Sequence, residues 1–181
     1  MQRANAEDIK GKPFPLPPAT TTTASSEIEE EDPNFDRRLD IAVAGCQPFV
    51  KRNLLLSNNI TRQNAKIIVD YILAFQTEVS PRLSYRRETI LRLTELAKFH
   101  HPKPFKDMTR QDVVDFLDRL RKPEPLDPLH KWIGTYENNR VILLRFFRWL
   151  HCSDPINTPP AQRPKPQTMQ NIPRIRRLEK K

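Results

Sequence analysis

Proline placement limits this chain more than any other feature. Eighteen prolines stand against three glycines. A proline inside a helix removes a hydrogen bond and clashes with the preceding turn, so helices must fit between the prolines. Four windows do carry apolar stripes at steps of three and four residues. In the first, Asn64, Ile68, Tyr71, Ile72 and Phe75 share a face within Thr61–Gln76, with Thr61 as candidate cap. Pro81 blocks continuation, and from Ser84 a second face gathers Tyr85, Thr89, Leu93, Leu96, Ala97 and His100 before Pro102. Thr109 and Asp112 read as a capping-box variant ahead of Val113, Phe116, Leu117 and Leu120, a third helix stopped near Pro123. After Pro128, Tyr136, Leu143, Phe146, Phe147 and Leu150 line a fourth helix over about Lys131 to Leu150. The apolar period is 3.6 and no Asn-Gly or Asp-Gly hairpin turn occurs, so strands are not expected. The predicted fold is all-α, a four-helix bundle over residues 59–150.

The flanks read differently. Residues 1–58 hold four prolines between Pro13 and Pro18, the Thr20–Thr23 run and the acidic block Glu27–Asp32, and this composition predicts a largely disordered segment. Residues 151–181 hold six prolines and mostly basic charge, and read as a linker or tail without a fold of its own. The whole chain is net +9, yet Met1–Asp40 is net acidic while residues 41–181 carry twice as many basic as acidic groups. Residues 41–181 are therefore more positive than the total suggests, which points to nucleic acid as partner. Deleting Met1–Asp40 is expected to tighten that binding.

Several function classes are disfavoured. Three glycines leave little room for a Gly-rich phosphate loop. Cys46 and Cys152 are far apart, with no CxxC spacing, which argues against a disulfide framework or zinc ribbon and for a cytoplasmic protein. His100–His101 and His151–Cys152 lack the i, i+4 spacing of helical metal ligands, so no metal or other cofactor is expected. No apolar run approaches the roughly 20 residues that span a bilayer, so no membrane partner is expected. No nucleophile–base pair supports an enzyme or a small-molecule substrate.

Two basic stripes are the candidate site. On the second helix Arg87, Leu91, Thr94 and Lys98 recur opposite the apolar face, with Arg86 beside them. On the fourth, Asn138, Arg145 and Arg148 lie opposite Leu143 and Phe147, with Val141 among them. Arg174, Arg176 and Arg177 in the tail are spaced to lie along phosphates. The competing reading is a helical protein-docking module using Leu91, Val141 and Trp149 as an apolar patch.

The helix order, the phrase FKDMTRQDVVDFL over Phe105–Leu117 and the phrase LRFFRWL over Leu144–Leu150 together resemble the SAM-like core-binding domain of tyrosine recombinases, particularly archaeal phage-type integrases. The resemblance covers about Asn59 to Leu150, with one departure, Asn139 at a position where the family often carries Tyr. It implies duplex DNA binding associated with DNA integration and recombination, through the second and fourth helices. In that family the next domain supplies two arginines, a lysine, a His-x-x-Arg motif and a nucleophilic tyrosine. This sequence has no His-x-x-Arg, and Tyr71, Tyr85 and Tyr136 fall on core-helix patterns. The resemblance thus implies a DNA-binding half without its catalytic residues, whose further partner is a separately encoded catalytic domain or a full-length recombinase.

Overall fold

The computed structural model describes residues 33–55 and 59–175, and these pack into one compact unit. Among them are six α-helices and no strand: α1 (Phe35–Val43), α2 (Pro48–Leu55), α3 (Arg62–Val79), α4 (Leu83–Phe99), α5 (Arg110–Asp118) and α6 (Trp132–Leu150). Short 3-10 turns span Phe105–Asp107 and Gln167–Met169. The last four helices are those expected from the proline windows, each within a few residues. Their caps work as their chemistry requires. The Thr61 hydroxyl accepts from the Asn64 N–H at 3.2 Å, and α3 ends at Ser80, in left-handed conformation, just before Pro81. At α5 the Thr109 N–H donates to Asp112 Oδ2 at 2.6 Å, and Thr109 Oγ1 accepts from the Asp112 N–H at 3.4 Å.

Asp112 also binds Lys103 Nζ at 2.6 Å. Burial pushes its carboxyl upward, but the hydrogen bonds from Lys103 and from Thr109 outweigh that and hold it at about 2. His100 joins the same corner, its Nε2–H donating to the Asp112 carbonyl at 2.8 Å. Across the core, fully buried Asn64 donates to the Lys103 carbonyl at 3.0 Å and accepts from the Phe105 N–H at 2.9 Å. This side chain sits on an otherwise apolar stripe because it satisfies the backbone of the turn that carries Phe105. Phe105 in turn meets Phe146 edge to face at 4.9 Å, and Phe146 meets Tyr71 at 5.3 Å and Phe147 at 5.1 Å.

Two sequence expectations are corrected. Part of the segment read as disordered is folded: α1 buries Phe35, Leu39, Ala42 and Val43, and α2 buries Val50 and Leu54. α1 packs on α3, reinforced by an Arg38–Asp70 ion pair and by the Arg62 guanidinium 5.1 Å above the Phe35 ring. Gly45, at φ +77°, makes the turn into α2, a conformation that a side chain disfavours. The 1–32 portion, with its acidic block, lies outside the described residues.

The stretch read as a free tail is also folded, up to residue 175. Met169 and Ile172 are buried, Tyr136 Oη donates to the Pro173 carbonyl at 3.2 Å, and Arg110 donates to the carbonyls of Gln170 and Asn171 at 3.0 and 3.1 Å. The Ile175 N–H donates to Glu137 Oε1 at 2.9 Å. The chain after α6 is thus a strap over α5 and α6, held by backbone groups that prolines leave free to bond with side chains.

Candidate nucleic-acid interface

The α4 stripe does not face outward. Thr94 is buried, Leu91 packs partly buried against the core, and Arg87 and Lys98 are half-buried. α2, which the sequence reading left out, packs on α4. Arg86 is turned inward, its guanidinium donating to the Ala44 carbonyl at the end of α1, with its Nε buried and unbonded. Arg87 flanks the α1–α2 turn beside Gly45, Cys46 and Leu83. The outward side of α4 is instead charge-balanced: Arg92 pairs with Glu88 and Glu95 at 2.7 and 2.9 Å, and Arg119 from beyond α5 reaches Glu95 at 3.5 Å.

The α6 stripe is closer to expectation. Asn138 and Arg145 are exposed and Arg148 is half-buried. Arg145 Nη1 donates to Tyr85 Oη at 2.8 Å, and its guanidinium sits 5.6 Å from the Tyr85 ring centroid, so α4 positions this α6 cation. The nearest turn, Arg148, has a buried Nε without a partner. Among the described residues no carboxylate forms an ion pair with Arg145 or Arg148, whereas Arg38, Arg92, Arg119, Arg121, Arg140 and Arg163 all have one. Arg174 is exposed at the end of the strap, while Arg176 and Arg177 lie outside the described residues. Leu91 and Trp149 both pack against the core and Val141 is half-buried, so the three form no exposed apolar patch.

The strap adds something no periodicity signalled. Arg163, counted with the basic tail, is buried and grips Glu78 of α3 with both terminal nitrogens, one at 3.1 Å, while its Nε donates to the Thr158 carbonyl at 3.1 Å. It also donates to the Pro155 carbonyl. Between strap, α3 and α6 lies a cavity of about 290 Å³, with Tyr71 and Phe75 on one side, Arg145 and Arg148 on another, and Pro160 and Ala161 from the strap. Burial, then the neighbouring Tyr85, raises the Tyr71 hydroxyl well above the ordinary phenol range. It is therefore a proton-bearing donor at neutral pH and a poor nucleophile.

Both cysteines are free and half-buried. Among the described residues no three His, Cys, Asp or Glu side chains gather as metal ligands, and no helix is long and apolar enough to cross a membrane. Comparison with known protein families, curated proteins and solved structures finds no match to this chain.

Proposed function

We propose that the protein binds duplex DNA through the outer C-terminal half of α6, in the manner of a recombinase core-binding domain and without catalytic residues of its own. The observation that supports this is the contrast in charge pairing. Six of the described arginines, Arg38, Arg92, Arg119, Arg121, Arg140 and Arg163, are neutralised by a carboxylate, whereas Arg145 and Arg148, one helical turn apart on the same helix, are not. Two cations one turn apart on α6, Arg145 held by Tyr85 of α4 and Arg148 beside it, suit neighbouring phosphates, with Asn138 further along the helix and Arg174 on the strap extending the contact.

The test is a fluorescence-anisotropy titration of a 5′-hydroxyl duplex across several salt concentrations. Each neutralised phosphate contributes about −0.9 to the slope of log affinity against log salt. The Arg145→Ala/Arg148→Ala variant should flatten that slope by about one to two such contributions if both meet phosphates. Identical affinities and slopes for wild type and variant would overturn the reading. The effect of the acidic N-terminal residues is tested by deleting residues 1–32; the cut after Asp40 suggested by charge alone would sever α1.

A second reading, a docking module, draws on a different feature from the one expected. Leu126 and Leu129 are 76% and 60% exposed on the connection between α5 and α6. Salt-insensitive binding to a protein, lost on Leu126→Ser/Leu129→Ser, would favour it.

A further inference from the structure

The cavity under the strap combines three properties. Its charge is unbalanced: Glu78 is committed to Arg163, so Arg145 and Arg148 contribute two guanidinium groups with no anion. Its opposite side is aromatic, the Tyr71 and Phe75 rings lying 5.7 Å apart and within 13° of parallel. It also holds unused hydrogen-bonding capacity, since the Arg148 Nε is buried without a partner.

Two guanidinium groups without a carboxylate partner match a dianion better than a carboxylate, and a phosphate monoester carries about −1.5 to −2 at pH 7 with three acceptor oxygens. The Tyr71 and Phe75 side offers an apolar aromatic surface against which a flat ring can pack. A volume of about 290 Å³ sits at the small end of ligand pockets, which run from roughly 300 Å³ upward. We infer that this cavity binds a phosphate monoester carried by a flat heterocycle of mononucleotide size, its phosphate between Arg145 and Arg148 and its ring against Tyr71 and Phe75. Such a group is either a free nucleotide or the 5′-phosphorylated end of a strand. The inference does not depend on duplex binding, although both use the same two arginines, so its test turns on Ala161, a strap residue with no charge to offer a duplex.

Isothermal titration calorimetry of the full chain with adenosine 5′-monophosphate should show saturable binding, with adenosine and inorganic phosphate each at least tenfold weaker. Ala161→Trp fills the cavity from the strap side and should weaken the nucleotide at least tenfold while leaving affinity for a 5′-hydroxyl duplex unchanged. Val79→Trp, from the α3 side, serves the same purpose if Ala161→Trp fails to fold. Preference for a 5′-phosphorylated over a 5′-hydroxyl single strand assigns the site to strand ends; indifference, with the mononucleotide still bound, assigns it to free nucleotides. The inference is overturned if neither the nucleotide nor the phosphorylated strand binds at millimolar concentration, or if binding survives the cavity-filling variants. Loss of duplex binding alone would overturn only the duplex reading.

Discussion

Replacing Arg163 with Ala distinguishes a folded strap from a solvated linker. Arg163 is 5% exposed, and its partner Glu78 keeps one-fifth of its side chain open to water. Removing one member of a fully buried pair costs about 3–5 kcal/mol, because the other charge is left without compensation. Water reaching Glu78 recovers part of that penalty. Against this, the Thr158 and Pro155 carbonyls lose their donors, at about 1 kcal/mol for each bond. The expected loss is about 3 kcal/mol, read as a lower urea midpoint by far-ultraviolet circular dichroism at 25 °C and pH 7. Arg163→Lys should recover only part of it, since one ammonium cannot reproduce the two-pronged contact with Glu78. Arg163→Met/Glu78→Gln should be less damaging than the two single changes added together, because it leaves no lone charge. A change within about 0.5 kcal/mol for Arg163→Ala, the usual range of a surface substitution, would refute the strap.

Other variants test the remaining packing and electrostatics. Leu39→Ala, at a fully buried position of α1, should cost about 2–5 kcal/mol in the same urea assay; a near-neutral result would mean that α1 is not part of the core. Leu143→Ala and Phe147→Ala on α6, both fully buried, should each cost a similar amount, about 2–5 kcal/mol. Asp112, whose carboxyl is held at about 2 against an ordinary 3.8, stabilises the fold only while ionised. Its contribution is complete above about pH 4 and is lost as pH falls toward 2. Urea midpoints measured from pH 6 to pH 2 should therefore drop less steeply for Asp112→Asn than for wild type, and parallel curves would refute the assignment.

Much of the fold was legible in local pattern. The stripes of α3, α4, α5 and α6, the Thr61 cap and the Thr109/Asp112 capping box follow from residue spacing alone, because a helix buries one face and a proline ends it wherever the rest of the chain goes. α1 was legible too: Phe35, Leu39, Ala42 and Val43 fall at i, i+4, i+7 and i+8. The surrounding acidic residues and prolines hid it, since composition averages over a window whereas burial depends on which face each residue occupies. Val50 and Leu54 gave α2 only two buried positions, too few to mark a period.

Proline placement and helical periodicity thus determined where α3 to α6 begin and end and that no strand forms among the described residues. The tertiary structure decided which side of each helix meets water. A wheel drawn for α4 places Arg87, Thr94 and Lys98 opposite its strongest apolar face, yet Thr94 is buried and Arg87 and Lys98 are half-buried in the fold. Arg163 and Arg148 look alike as basic residues in sequence. One is buried against Glu78, eighty-five residues away, and the other lines a cavity without a counter-ion. Charge along a chain is additive and can be counted, but whether a cation is free depends on the carboxylates that folding brings within about 4 Å of it.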